Sequence, residues 1–154
     1  MEREGRKQIN VKKNFYFVAI FVLPILLMLS CSKVGGGTAE EDLNAIDNND
    51  DVLPVINLVK PVANQVYKSG DSIIVEGKVT DNKKLYKGKI FISNSTSGIV
   101  VAEQQYETHF LQVMDLRLTY KATVSLATEF TVTVEFEDHG LNKATQTLNV
   151  KVNP

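Results

Sequence analysis

The strongest constraint on the fold is a two-residue alternation of apolar and polar side chains in the last third of the chain. In residues 116–126, LRLTYKATVSL, every second side chain is apolar, and the side chains between them are Arg, Thr, Lys or Ser. Residues 130–137 and 145–152 continue the pattern. Because successive side chains of a β-strand point to opposite faces, each segment predicts a strand with one face in a core and the other in water.

Shorter apolar runs before this region predict further strands, separated by segments rich in Gly, Asn, Asp and Ser that are typical of turns. Pro61 is expected to break the first of these strands into two short edge pieces. About seven antiparallel strands over roughly 100 residues predict an all-β, two-sheet sandwich, with an up-and-down barrel as the alternative. Residues 105–113 fit either a short helical turn or another strand. The earlier strands are expected at 55–59, 72–80, 85–93 and 98–104.

Ahead of this domain, residues 15–29 form an uninterrupted apolar run. Residues 1–13 precede it with five Lys or Arg side chains against two Glu, which is the layout of a secretory signal peptide. Fifteen residues reach roughly 22 Å as a helix, short of the roughly 30 Å hydrocarbon core of a bilayer. The sequence therefore favours a signal peptide over residues 1–30, with a permanent transmembrane anchor as the alternative.

The only cysteine of the chain, Cys31, directly follows this region. The segment LMLSCS resembles a bacterial lipobox, in which aliphatic and small residues precede the cysteine; Ser30 fits well, whereas Leu29 and Met28 fit more loosely. The resemblance implies that the chain is cut before Cys31 and that the Cys31 thiol carries diacylglycerol. Cleavage by an ordinary signal peptidase is the alternative, but its Ala-x-Ala pattern is not evident here.

Residues 31–53 hold the lipidated cysteine and a predicted disordered acidic tether. From residue 32 to 53 the chain has six Asp or Glu side chains against one Lys and few large apolar side chains. Such a composition cannot bury enough apolar surface to fold. As a flexible coil, these 22 residues would span roughly 25 Å and hold the following domain, residues 54–154, away from the membrane surface.

The domain also resembles a known group of proteins. Residues 53–92, LPVINLVKPVANQVYKSGDSIIVEGKVTDNKKLYKGKIFI, look like the opening of bacterial Ig-like domains, and residues 130–152, FTVTVEFEDHGLNKATQTLNVKV, resemble their final hairpin. Together with the lipobox, the chain resembles small Ig-like or cadherin-like lipoproteins of Bacteroidota-type bacteria, including a domain family whose function is not established. The resemblance implies a single Ig-like β-sandwich, lipid-anchored in the bacterial cell envelope at the outer membrane, on either its periplasmic or its surface face. It implies no particular activity.

Sequence motifs for catalysis are lacking: the chain contains no G-x-S-x-G, no H-x-x-x-H and no G-x-G-x-x-G. The two histidines, His109 and His139, fall in predicted loops, where a solvated side chain is the ordinary state. The net charge of −1 argues against the clustered basic surface that nucleic acid binding requires. We therefore expect a protein that is not an enzyme and does not bind nucleic acid.

Acidic and amide side chains in two predicted loops form a candidate calcium site. In Ig topology, the loop between the second and third strands and the loop between the sixth and seventh strands lie at the same pole. Carboxylate and amide oxygens are suitable calcium ligands, and cadherin-like modules bind calcium in this way. The sequence favours a simpler role, in which these side chains cap tight turns, and otherwise indicates no cofactor. The candidate ligands are Asp81, Asn82, Asp138 and Asn142.

One short segment resembles a modification site. Asp71-Ser72-Ile73 is similar to the three-residue O-glycosylation pattern of exported Bacteroidota proteins, which would place a glycan on Ser72.

The expected function is that of a lipid-anchored, non-catalytic binding or adhesion module that recognises an envelope protein or a glycan. The alternative is a structural or accessory subunit that docks on a larger envelope complex. An exposed apolar patch would favour docking on a protein, and an aromatic platform such as Tyr86 with Tyr106 would favour sugar binding.

Overall fold

The computed structural model describes residues 42–154; the predicted signal peptide, Cys31 and the predicted tether up to residue 41 lie outside the described residues. All regular elements of residues 42–154 are strands, which confirms the all-β prediction. This part of the chain contains no helix long and apolar enough to cross a membrane. The strands are β1 (Val55–Lys60), β2 (Val66–Lys68), β3 (Ser72–Thr80), β4 (Leu85–Asn94), β5 (Val100–Glu107), β6 (Val113–Lys121), β7 (Thr128–Asp138) and β8 (Lys143–Asn153).

The strands form the two sheets of an Ig-like sandwich. One sheet has the order β1-β3-β6 and the other has the order β2-β8-β7-β4-β5. Neighbouring strands are antiparallel except β2, which pairs in parallel with β8. The described region thus has eight strands where about seven antiparallel ones were predicted.

The additional strand arises at Pro61, as the sequence predicted. β1 ends at Lys60 in the three-stranded sheet, and the chain resumes as β2 at the edge of the other sheet. Proline has no N–H to donate to a ladder, so pairing with β3 stops there. Residues 105–113 hold the end of β5, a loop over residues 108–112 and the start of β6.

One predicted strand is too long at its C-terminal end. The alternation predicted a strand over residues 116–126, but β6 ends at Lys121. The backbone of Ala122 then bonds the β2–β3 turn, since its N–H donates to the Asp71 carbonyl and its carbonyl accepts from Gly70 N–H. Leu126, predicted to face the core, is 76% exposed.

The core lies between the two sheets and consists of the apolar side chains that the alternation placed on one face of each strand. Gly88 of β4 makes room for the ring of Phe136 in β7, because a β-carbon at residue 88 would overlap that ring. The hydroxyl of Tyr106 donates to the Arg117 carbonyl (3.0 Å) and accepts from the Arg117 N–H (2.9 Å), which joins the edge strand β5 to the edge strand β6. The fully buried core side chains include Ile73, Val75, Val79, Leu85, Ile90, Ile92, Val132, Val134 and Val152.

Candidate functional site

Three loops meet at one end of the sandwich, and we call this end the loop pole. They are the β3–β4 loop (residues 81–84), the β5–β6 loop (residues 108–112) and the β7–β8 loop (residues 139–142). The strand register brings them together: Thr80 pairs with Val113, and Leu85 pairs with Asp138. β1 also begins at this end, since its first residue pairs with the last residue of β3, so the chain enters the domain at the loop pole.

The residues that precede β1 lie against the loop pole, and we call residues 42–53 the docked segment. The N–H of Asp47 donates to the His139 carbonyl (2.8 Å), and His139 Nδ1 lies 3.0 Å from the Ala45 carbonyl oxygen. Lys83 Nζ donates to the carbonyl of Asn49 (2.9 Å) and to Asp47 Oδ2 (3.0 Å). Residues 42–53 therefore differ from the free tether that the composition of the segment indicated.

Three carboxylates converge where the docked segment meets the loops. Asp50 comes from the docked segment, Asp81 from the β3–β4 loop and Asp138 from the end of β7. One oxygen from each lies within 4.8 Å of the oxygens of the other two. Asp138 is fully buried, Asp50 is 6% exposed and Asp81 is partly buried. We call these three residues the carboxylate cluster.

One oxygen of each aspartate caps a turn, as the simpler sequence hypothesis expected. Asp81 Oδ2 accepts from Lys83 N–H (2.9 Å), Asp50 Oδ1 accepts from Val52 N–H (3.3 Å) and Asp138 Oδ1 accepts from Asn142 N–H (2.9 Å). The second oxygens of two of them are different. Within residues 42–154, Asp50 Oδ2 and Asp81 Oδ1 are buried and have no hydrogen-bond partner. Turn capping therefore accounts for one oxygen of the Asp50 side chain and one oxygen of the Asp81 side chain, and it leaves the other oxygen of each without a role.

The proximity of these groups affects protonation. Burial raises the pKa of the Asp81 carboxyl above its ordinary value, and the negative charges of Asp138 and Asp50 raise it further. The hydrogen bond from Lys83 N–H acts in the opposite direction by stabilising the carboxylate. The Asp81 carboxyl is therefore harder to ionise than that of a solvated aspartate.

The other predicted ligands take different positions. Asn142 donates through Nδ2 to Asp138 Oδ2 (2.9 Å) and to the Asp50 carbonyl (3.0 Å), so it braces the cluster with an amide N–H group. Asn82 is exposed, and its carbonyl accepts from Gln112 Nε2 (3.2 Å). The structure thus brings Asp81, Asp138 and Asn142 together and adds Asp50, which the sequence analysis had assigned to the tether.

Close packing against Gly140 holds Asp50 in place. A β-carbon at residue 140 would lie 2.6 Å from the Asp50 carbonyl oxygen and 2.8 Å from the Asp50 β-carbon. Real β-carbons do not approach backbone atoms so closely, so a larger side chain at residue 140 would push the docked segment away. The contact could not be read from the sequence, because it joins residues about 90 positions apart.

The two histidines also lie at the loop pole, and one of them differs from expectation. His139 is 5% exposed, so the prediction of a solvated side chain is wrong for it. Its ring centroid is 4.9 Å from that of Tyr86 and 5.6 Å from that of His109. A cleft of about 450 Å³ adjoins this group, lined in part by Phe110, Lys83 and His139.

The remaining predicted positions are spread over the domain. Tyr86 packs against the histidines, whereas the ring of Tyr106 packs 5.7 Å from that of Phe136, so the two tyrosines contact different groups. Ser72 is exposed at the first position of β3. Cys31 lies outside the described residues.

Among known proteins, this chain matches solved structures only. No protein-family model matches the chain, and no curated protein matches it. Among solved structures, the fibronectin(III)-like modules of Clostridium thermocellum CbhA match with 16% identity and a TM-score of 0.44, covering 66% of this chain and 47% of that chain. Murine CRIg matches with 8% identity and a TM-score of 0.38, covering 66% of this chain and 98% of that chain. The chain thus spans about half the length of the first structure.

Proposed function

We propose that this chain is a lipid-anchored, non-catalytic binding module of the bacterial cell envelope, attached to the outer membrane through Cys31. The basic head, the apolar run and the lipobox-like LMLSCS segment support the anchor. The Ig-like sandwich supports a binding role, because such folds present loops and strand edges on a rigid frame.

The point at which the chain enters the domain carries this proposal. The docked segment lies on the loop pole and leads N-terminally toward Cys31 in sequence. A lipid on Cys31 would therefore tether the loop pole, and the opposite end would be free to meet a partner. We call this opposite end the far pole; it is formed by the turns at residues 69–71, 95–99 and 122–127.

The surface of the far pole favours a protein partner over a glycan. Three apolar side chains in or near its turns are more than half exposed, and apolar surface is what a docking protein would cover. They are Val66, Ile99 and Leu126. The same observation supports the second candidate function, an accessory subunit that docks permanently on a larger envelope complex.

Capture from detergent-solubilised envelopes tests the partner. The full chain should retain a stoichiometric protein, and Leu126→Asp and Ile99→Asp should each weaken retention, since a charge would be placed in an apolar contact. Val55→Asp is the matched control, because Val55 is similarly exposed but lies at the start of β1 beside the loop pole. Equal retention by all variants, or binding only to a glycan array, would contradict a protein-docking far pole.

Labelling with radioactive palmitate tests the anchor separately. The wild-type chain should incorporate label and fractionate with membranes, and Cys31→Ala should do neither, because the only thiol of the chain is removed. An unmodified Cys31 in the mass spectrum of the mature N-terminus would refute lipid attachment.

A further inference from the structure

Unpartnered polar atoms are concentrated at the loop pole. In residues 42–154, six buried side-chain nitrogen or oxygen atoms have no hydrogen-bond partner, and five of them belong to the docked segment or to the loops at this pole. Folded proteins pair nearly all buried polar groups, so a concentration of this kind calls for a partner such as ordered water or a bound ion. The five atoms are Asp50 Oδ2, Asp81 Oδ1, Thr108 Oγ1, His109 Nδ1 and His139 Nε2.

Within this group, the carboxylate cluster has the chemistry of a cation site. Two carboxylate oxygens on opposite sides of a calcium ion are about 4.6–5.2 Å apart, since each calcium–oxygen bond is about 2.3–2.6 Å long. The three cluster oxygens lie within 4.8 Å of one another, so one ion can contact all three. We propose that Asp50, Asp81 and Asp138 bind one divalent cation of the calcium class, which fastens the docked segment to the loop pole.

Protonation alone does not neutralise the cluster. A proton shared between two carboxylates would pair one oxygen of each, as donor and acceptor, but it would leave two negative charges on the three closely spaced side chains. The ammonium group of Lys83 is already engaged by Asp47 and by the Asn49 carbonyl. Burial removes water from around the three carboxylates and so strengthens their mutual repulsion. A divalent cation contacts several oxygens at once and offsets this repulsion.

The ligands are held in place before an ion arrives. Each aspartate has one oxygen bonded to a backbone N–H, and Asn142 bridges Asp138 to the Asp50 carbonyl. This bracing leaves little side-chain freedom to be lost on binding. Calcium takes six to eight oxygen ligands, so water or bidentate carboxylates would complete the shell.

The consequence is that ion binding and segment docking are coupled. Asp50 belongs to the docked segment, whereas Asp81 and Asp138 belong to the sandwich. An ion bound by all three stabilises the docked state over the undocked state, and a docked segment raises the affinity for the ion by the same factor. The ion thereby controls whether residues 42–53 are held against the loop pole or are released from it. This inference depends on neither the lipid anchor nor a partner.

Thermal unfolding of the detergent-purified full chain tests the site. The unfolding midpoint should rise by about 10 °C between excess chelator and calcium at about 100-fold its dissociation constant, because the ion binds only the folded state. In the same samples, calcium should slow hydrogen exchange of the backbone amides in residues 42–53. An unchanged midpoint in wild type would overturn the proposal.

Three variants with the same charge change distinguish this site from general screening. Asp50→Asn and Asp81→Asn should abolish the calcium-induced rise, and both should fold in chelator, because each removes a like charge. Asp51→Asn is the matched control, since Asp51 is exposed and adjacent to Asp50, and it should keep the full rise. A rise that survives Asp50→Asn, or that Asp51→Asn reduces equally, would place the ion elsewhere and overturn the proposal.

Discussion

The core and the loop pole of this sandwich both bury side chains, but they bury opposite chemistry. The core holds fourteen buried apolar side chains drawn from β3, β4, β6, β7, β8 and the residue after β6. Four of the five buried polar residues of the described chain belong to the docked segment and to the ends of β5 and β7 at the loop pole, namely Asp50, Thr108, Asp138 and His139. Apolar burial stabilises a fold by itself, whereas buried polar groups cost free energy unless a partner satisfies them. This difference shows that the core stabilises the sandwich by itself, whereas at the loop pole a bound ligand would add to the stability of the folded state.

The largest expected effect comes from emptying the core. Phe136→Ala should lower the free energy of unfolding by about 3–5 kcal/mol, because it removes a buried ring and leaves a cavity above Gly88. Phe91→Ala is the control, since Phe91 lies in the same sheet, only partly buried and with Lys89 over its ring. Urea unfolding with and without calcium measures both. A loss for Phe136→Ala that calcium alone restores would break the separation of core from loop pole.

The next effect concerns the packing of the docked segment. Gly140→Ala should cost about 1–3 kcal/mol, because the new methyl group cannot fit against the Asp50 backbone. Hydrogen exchange of residues 42–53 should accelerate while exchange in β7 and β8 changes little. Gly98→Ala is the control: it strains a backbone with φ of 71° at the far pole and should leave residues 42–53 protected. Protection of residues 42–53 that is unchanged in Gly140→Ala would show that docking does not need this contact.

A smaller effect is expected where the two sheets join at their edges. Tyr106→Phe removes a hydroxyl that bonds both the N–H and the carbonyl of Arg117, and it should cost about 1–2 kcal/mol. Tyr86→Phe removes one exposed hydrogen bond to Asn44 and should cost less. Chemical denaturation of the two variants side by side measures the difference. Equal losses would show that the Tyr106 hydroxyl does not stabilise the edge contact.

The smallest effect is the pH dependence due to the carboxylate cluster in chelator. Since the folded-state pKa of Asp81 is raised above 3.8, the folded chain holds that proton more tightly than the unfolded chain. The resulting stabilisation is complete below pH 3.8 and is lost as the pH rises through the raised pKa. The unfolding midpoint of wild type minus that of Asp81→Asn should therefore fall as the pH rises through this window.

Asp47 supplies a control of opposite sign for that measurement. Its pKa is lowered by the hydrogen bond from Asn49 N–H and by Lys83, so its contribution is present above pH 3.8 and is lost as the pH falls through the lowered pKa. The unfolding midpoint of wild type minus that of Asp47→Asn should therefore rise with pH. The same sign for both variants would contradict the assigned environment of Asp81.

How much the sequence predicted depended on the range of the interactions. The alternation in residues 130–137 and 145–152 correctly placed β7 and β8, because side-chain alternation is a local property of a strand. Pro61 correctly ended β1 for an equally local reason. The exposed Leu126 shows the limit, since alternation continues past Lys121, where turn hydrogen bonds end the strand. Composition misplaced Asp50 because an acidic segment looks the same whether it is free or docked.

The sequence by itself determined the two-residue alternation, the break at Pro61 and the position of the one cysteine after an apolar run, since each depends on neighbours along the chain. Only the tertiary structure decided that residues 42–53 lie on the loop pole and that Asp50 joins Asp81 and Asp138. Those contacts join residues 31 to 94 positions apart. They exist because the sandwich brings strand ends together and because Gly140 leaves room for the Asp50 backbone.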